Sequence, residues 1–364
     1  MKVIMTGGGT GGHIYPAIAI ADKIMERSGD SEILFVGTKK GLEGELVPKH
    51  GYPIKFITVT GLNRKNMLKN FKVLRDYNKG KKQAAKIIEE FQPDIVIGTG
   101  GYVCGPVVKV ASSMGIKTYV QEQNAFPGLT NKMLEKNVEN VFLGFEEAGR
   151  FFKYPDKHIV TGNPVRSEFF DINDAESRLE LGLKTDQFML LAFGGSQGAG
   201  RVNKAMLDVI KRYNDNEQVQ VYFATGKAYY EPILSDLKSM GIHIGPNIHI
   251  IEYIDHMEKY LSACDLAVCR SGALTVSEIM VCGKPSILIP SPNVTGDHQT
   301  FNARAVSDKG GAIIMEESKL DGAGLYTEIE RLRQDSEYLR GMAEQCRRIA
   351  PVDATDIIYY SLIT

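Results

Sequence analysis

Short apolar runs alternate with amphipathic stretches from one end of the chain to the other. Runs rich in Val, Ile and Leu fall at 2–5, 32–37, 54–59, 94–98, 117–121, 140–145 and 158–162. The second half repeats the pattern at 188–194, 219–226, 248–253, 265–270, 285–290 and 311–315. Most lack clean alternation, as expected for strands covered on both faces. Between them lie stretches with helical spacing, among them 14–28, 202–213, 275–283 and 301–310. Pro16 suits the first turn of the earliest of these. The alternation predicts an α/β protein with doubly wound parallel sheets. Each half opens with a strand, a glycine-rich turn and a helix, at 3–13 and again at 190–200. We therefore expect two Rossmann-like domains, 1–164 and 165–344, with 162–178 as the linker region. Two last helices, at about 336–348 and 353–362, have no strand after them and are free to pack back on either domain.

Three glycine-rich loops follow predicted strands: Gly7-Gly8-Gly9-Thr10-Gly11-Gly12-His13, 98–106 and Gly194-Gly195-Ser196-Gln197-Gly198. Glycine lets the backbone approach an anion closely, and a helix N-terminus offers free amides and a positive dipole end. Gly7, Gly9 and Gly12 match the dinucleotide fingerprint, but the second strand ends Gly37-Thr38-Lys39-Lys40, without the acid that holds a ribose. The lysines suit a 2′-phosphate, which keeps an NADP-dependent oxidoreductase open as an alternative. In doubly wound domains all three loops point to one place, the crevice at the strand C-termini. Together they indicate anionic, diphosphate-bearing ligands in a deep cleft between the domains.

Polar groups cluster at the same strand ends. Gln121-Glu122-Gln123-Asn124 presents four amide or carboxyl side chains suited to sugar hydroxyls, or else a solvated loop. Arg270, followed by Ser271-Gly272 and a helix, offers a cation and a helix N-terminus for phosphate. Glu278, one turn into that helix, is able to accept from both hydroxyls of a ribose, or simply favours the helix dipole. The 297–302 stretch repeats the sugar-binding chemistry. His13, at the rim of the first loop, reads equally as a base near neutral pH and as a loop-orienting or phosphate-binding residue.

The 43 Lys and Arg balance 44 Asp and Glu, a net charge of −1, so no whole-protein attraction to nucleic acid is expected. The five cysteines show no paired spacing, which favours buried free thiols in a reducing cytosol over zinc or disulfides. No run approaches the ~20 apolar residues of a membrane helix. The opening apolar stretch is too short for a signal peptide. The expectation is a cytosolic protein whose membrane contact, if any, is peripheral. One segment breaks the charge balance: 64–86 carries nine Lys or Arg against Asp76 alone, +8 where the remainder carries −9. Met67, Leu68, Phe71 and Leu74 fall at helical spacing among these charges, the pattern of an interfacial amphipathic helix or of a solvated face whose apolar side packs inward. Nucleic acid ranks lower, because few aromatics interleave the basic residues.

The motifs GGGTGGH (7–13), GTGGYVCGP (98–106), EQNAFPGLTNK (122–132), GNPVR (162–166), GGSQGA (194–199), CRSGALTVSEI (269–279) and DHQTFNA (297–303) occur in an order that closely resembles the MurG family of bacterial N-acetylglucosaminyltransferases. The resemblance implies the GT-B fold. It also implies inverting transfer, without a metal or other cofactor, from UDP-N-acetylglucosamine to the 4-hydroxyl of the muramyl sugar of lipid I, giving lipid II for peptidoglycan. A chain without a conspicuous D-x-D at a strand end fits this. By position it implies that Thr10, Gly11 and Gly12 meet the donor, Asn124 its sugar and Ser196 its diphosphate. Arg166 and Ile254 match donor contacts, Ile254 holding uracil through its backbone. Ala273, Leu274, Thr275, Val276, Ser277 and Glu278 take the rest of the nucleotide, with Glu278 on the ribose, and Gln299 takes the N-acetylglucosamine hydroxyls. His13, Tyr102 and Glu122 match positions required for activity, with His13 as general base. Leu68, Lys69, Phe71, Lys72 and Arg75 fall in the region that meets an anionic membrane surface at the cytoplasmic face. Two departures stand out: Gln121 replaces the histidine that often precedes the EQN motif, and 293–296 is a variable stretch. Three alternatives remain open: a UDP-N-acetylglucosamine epimerase of the same fold, the NADP-dependent oxidoreductase, and a nucleotide-sugar-binding scaffold without turnover.

Overall fold

The computed structural model describes residues 1–61, 70–195, 197–351 and 353–364, with the backbone alone at 70 and 71. The described chain divides into two compact units, Met1–Val165 with Val352–Thr364, and Arg166–Pro351.

The first unit is built on seven parallel strands, β1 (Lys2–Gly7), β2 (Glu32–Gly37), β3 (Ile54–Phe56), β4 (Ile95–Gly100), β5 (Lys117–Glu122), β6 (Asn140–Leu143) and β7 (His158–Val160). Their order is β3-β2-β1-β4-β5-β6-β7. Its helices are α1 (Gly11–Arg27), α2 (Glu43–Lys49), α3 (Asn70–Phe91), α4 (Cys104–Ser113) and α5 (Leu129–Leu134). The second unit holds helices α6 (Asp174–Glu180), α7 (Gly200–Tyr213), α8 (Tyr230–Ser239), α9 (Met257–Ala263), α10 (Ala273–Cys282), α11 (His298–Ser307), α12 (Gly322–Gln334) and α13 (Ser336–Ile349). Its strands are β8 (Phe188–Phe193), β9 (Val219–Ala224), β10 (Ile248–Ile251), β11 (Leu266–Cys269), β12 (Ser286–Leu288) and β13 (Ala312–Ile314), in the order β10-β9-β8-β11-β12-β13. A last helix, α14 (Ala354–Ile363), returns to the first unit and packs on α1, burying Ile358 and Leu362.

All thirteen apolar runs contain strands. The central ones, such as β1, β4, β8 and β11, are buried on both faces, while the edge strands β3 and β7 are only partly covered, with Lys55 and Val160 exposed. In each sheet the winding reverses between two central neighbours, β1 and β4 in the first and β8 and β11 in the second. Ligands bind outside the strand C-termini at such switch points. The glycine-rich loops leave three of these four strands. One local expectation shifts: α1 begins at Gly11, so Pro16 lies in its second turn. Proline has no N–H, so the exposed Gly12 carbonyl has no amide four residues on to accept from.

Candidate active site

In the first unit the loops after β1 and β4 pack backbone to backbone. Gly101, at φ +80°, lies so close to Gly8 that any Cβ would overlap the Gly8 carbonyl. Gly100, at φ +107°, meets the His13 imidazole, and a Cβ there would stand 2.8 Å from Nδ1. The glycines of these two loops therefore serve close approach and left-handed backbone, as well as any ligand. Tyr102 lies against Gly9 and Gly61, half-buried. Thr10 is exposed and caps no amide of α1, while Gly11 is half-buried and Gly12 exposed. The structure thus brings His13, Tyr102 and the 10–12 turn together at one switch point. His13 is half-buried, with Nδ1 3.0 Å from the Thr99 carbonyl and 2.9 Å from Gln123 Oε1.

The four polar residues at 121–124 do not line up toward a sugar. Gln121, Glu122 and Gln123 are buried, and their side chains are taken up inside the unit; Asn124 is half-buried. The Glu122 carboxylate accepts from the backbone amides of Asn124 (3.0 Å) and Gly128 (2.9 Å) and from the side-chain amides of Asn124 (3.1 Å) and Asn131 (2.9 Å). It organises the turn that carries Asn124.

A second buried carboxylate, Glu43 at the start of α2, was missed by reading the sequence. It accepts from the Gly9 amide (3.0 Å) and from the Thr38 amide (2.9 Å) and hydroxyl (2.8 Å). Its head fills the space left by Gly8, Gly37 and Gly41, where a Cβ would strike it. Glu43 therefore pins the first glycine loop to the end of β2. Its one sequence signal is the set of glycines that surround it, Gly8 after β1 and Gly37 and Gly41 at and after the end of β2.

In the second unit Arg270 is not free for a phosphate. Its guanidinium pairs with Glu317 and donates to the carbonyls of Ile289 (3.1 Å) and Pro290 (3.2 Å). What remains for an anion is the N-terminus of α10, where Gly272 offers no side-chain cap. Ala273, Val276 and Ser277 are buried in α10, and Leu274, Thr275 and Glu278 half-buried. Gln299, on α11, accepts at Oε1 from the Ser291 amide (2.8 Å), and its backbone carbonyl accepts from the Ser271 hydroxyl (2.8 Å). These bonds hold the α10 and α11 N-terminal turns together. Ile254 is buried just beyond β10. Ser196 lies outside the described residues.

Burial pushes the Glu278 carboxyl up to about 7, the Arg166 guanidinium opposing the shift and Glu258 adding to it. Arg166 is itself 3.4 Å from Glu258, which also pairs with His256 at 3.0 Å. The folded protein thus holds the Glu278 proton more tightly than the unfolded chain, so stability is lost as pH rises from about 4.5 to about 7. Glu278→Gln is expected to stabilise the protein more at pH 8 than at pH 5.5, by roughly 1–2 kcal/mol. Denaturant titration at the two pH values checks this; equal gains at both would rule out a carboxyl whose proton is held more tightly in the folded protein.

Among the segment 64–86, Leu68, Lys69 and the Phe71 side chain lie outside the described residues. Lys72 and Arg75 are exposed, as is Leu74 at 61%. Asp76, the segment's one acid, is turned inward and accepts from the Thr60 hydroxyl at 2.9 Å. The described exposed charge there is therefore positive alone. All five cysteines are free, and burial pushes each thiol up, Cys104, Cys264 and Cys346 to about 12. Among the described residues no group of three His, Cys, Asp or Glu is placed to hold a metal ion, and no helix is long and apolar enough to cross a membrane.

Comparison with known proteins places this pair of units. The glycosyltransferase family 28 N-terminal domain matches residues 3–143, and the family's C-terminal domain matches residues 189–355. The chain belongs to glycosyltransferase family 28. Relatives are similar along their whole length. A protein of Desulforamulus reducens named UDP-N-acetylglucosamine--N-acetylmuramyl-(pentapeptide) pyrophosphoryl-undecaprenol N-acetylglucosamine transferase is 47% identical, covering 98% of this chain and 97% of that one. The protein of the same name from Acetivibrio thermocellus is 46% identical over 99% and 96%. The crystal structure of Acinetobacter baumannii MurG superposes with a TM-score of 0.78 at 26% identity, covering 98% of this chain and 97% of that one. The family 28 chain also shares its fold with a UDP-GlcNAc 2-epimerase from Neisseria meningitidis, at TM-score 0.69 but 15% identity over the whole of both chains. That likeness is one of fold. Family 28 membership leaves no support for the oxidoreductase alternative.

Proposed function

We propose that this chain transfers N-acetylglucosamine from UDP-N-acetylglucosamine to the 4-hydroxyl of a lipid-linked N-acetylmuramyl pentapeptide, with inversion. The observation that carries the reading is end-to-end similarity, at 46–47% identity, to proteins named for that transfer. The residues suit it. His13 Nε2 takes the proton of the acceptor hydroxyl as its oxygen bonds to C1 of the sugar; the C1–phosphate bond breaks, and UDP leaves with the electron pair. Amides of the α10 N-terminus and of the 194–198 loop stabilise charge growing on the diphosphate. Glu278, as carboxylate, accepts from the ribose hydroxyls, so donor binding releases a proton below about pH 7. Gln299 and Asn124 contact the sugar. Tyr102 lies against Gly9 of the loop that carries His13, and Glu122 acts by shaping the Asn124 turn.

The positive end of α3 suits an anionic membrane surface at the cytoplasmic face, each basic residue contributing about 1 kcal/mol. The test is transfer of labelled sugar, with EDTA present, to a long-chain acceptor in anionic vesicles and to a short-chain soluble acceptor. Expected is a β-linked product from both, and a loss confined to the vesicle arm when Lys72 and Arg75 are reversed to glutamate. Donor binding with free or epimerised sugar as the only product would overturn the transferase reading. Equal losses in both arms would overturn the membrane role.

A further inference from the structure

We propose that Gln123 is a positioning residue that holds His13 in its Nδ1–H tautomer, leaving Nε2 as the nitrogen that accepts a proton. The inference rests on the transferase reading for its use, but its geometry stands without it. Two groups lie within hydrogen-bond reach of His13 Nδ1: the Thr99 carbonyl at 3.0 Å and Gln123 Oε1 at 2.9 Å. A carbonyl oxygen only accepts, so Nδ1 must carry the hydrogen. The neutral ring then has its lone pair on Nε2.

The amide of Gln123 has one workable orientation. Its Nε2 faces three oxygens: the Thr99 carbonyl at 2.7 Å, the Gln121 carbonyl at 3.2 Å and Gln121 Oε1. Turned over, the amide would set its own oxygen against all three and its N–H against the imidazole. Gln121 is fixed in turn, donating from Nε2 to Asn163 Oδ1 at 3.0 Å, and Asn163 donates back to the Gln123 carbonyl at 2.9 Å. All three amides are at least 98% buried. Gly100 and Gly144 leave the room: a Cβ on the first would crowd His13 Nδ1, and on the second would overlap Asn163. A closed, one-directional chain of neutral amides thus ends on the imidazole. The carboxylates of the adjoining loops, Glu43 and Glu122, are turned to other donors.

This chain sets the tautomer without placing a charge behind the ring, unlike a carboxylate partner, which would also raise its basicity. The position of Gln121 fits the same logic. An amide there both accepts from Gln123 and donates to Asn163, whatever the pH.

The test is 15N NMR of the full-length protein labelled at histidine, with His13 assigned by His13→Gln, across pH 5–9. In the parent the unprotonated nitrogen of the neutral His13 ring is expected to be Nε2. Gln123→Met leaves the Thr99 carbonyl as the remaining acceptor at Nδ1, so the Nδ1–H tautomer should still predominate but a detectable minor tautomer should appear. Its kcat should fall about tenfold with the donor KM little changed. Gln123→Glu keeps an acceptor and adds a charge, so the tautomer should persist while the acid limb of kcat/KM moves up by roughly one pH unit. An unprotonated Nδ1 in the parent would overturn the proposal, and that spectrum needs no variant to fold. So would the lack of any minor tautomer in a folded Gln123→Met. A parent that shows the expected tautomer but transfers no sugar would instead overturn the transferase reading.

Discussion

His13→Ala is expected to lower kcat for transfer by about two to four orders of magnitude, the usual worth of a positioned base. The donor Kd should stay within about threefold, because the residues assigned to the nucleotide belong to the second unit. The structural cost should be small. The imidazole is half-buried, and its loss removes one shared hydrogen bond, on the order of 1 kcal/mol. Single-turnover transfer, calorimetric donor binding and a melting curve, measured on one preparation, separate these effects. A kcat within fivefold of the parent would remove His13 from proton transfer. A collapse of Tm would make it a structural residue of the two glycine loops.

Glu122→Ala should fail differently. Four donors converge on this carboxylate, two of them backbone amides, and alanine leaves them without their acceptor inside the unit. The loss expected is about 3–5 kcal/mol, since each buried donor without a partner costs about 1–3 kcal/mol. For a unit of this size that corresponds to a fall in Tm of roughly 10 °C. Activity should fall with it, because the turn bearing Asn124 loses its form. Glu122→Gln, which restores an oxygen but brings an N–H against the same donors, should fall between. Lost activity at an unchanged Tm would show instead that the carboxylate acts on the substrate directly.

How much was legible in the sequence follows from the range of each interaction. The central strands were legible because burial on both faces writes an apolar run wherever one lies, and even β12, three residues long and buried throughout, left one. The glycine loops were legible as loops. What the glycines accommodate was not: the Gly8, Gly37 and Gly41 set encloses a carboxylate that the sequence shows only as a first-turn acid of α2. Gln121 to Gln123 looked outward because they are polar and follow a strand. The partners of Gln121 and Gln123, namely His13, Thr99 and Asn163, lie 24 or more positions away, beyond any local pattern. Arg270 looked free for phosphate for the same reason, since Glu317 stands 47 positions on. Short-range pattern reports what is buried. It does not report which buried polar group finds which.

The return of α14 to the first unit has a consequence for how the chain is made. Ile358 and Leu362 complete the apolar layer that includes Ile14, Ile18, Ile20 and Ile24 of α1, and Arg27 clasps Asp356 at 2.7 Å. These partners are separated in the chain by the whole of the second unit, so α1 is made before it and α14 after it. The outer face of α1 therefore stays uncovered while the whole second unit is synthesised, and a nascent first unit meets the cell with an apolar stripe open to chaperones. Synthesis can begin both units in order, but the one begun first is finished last.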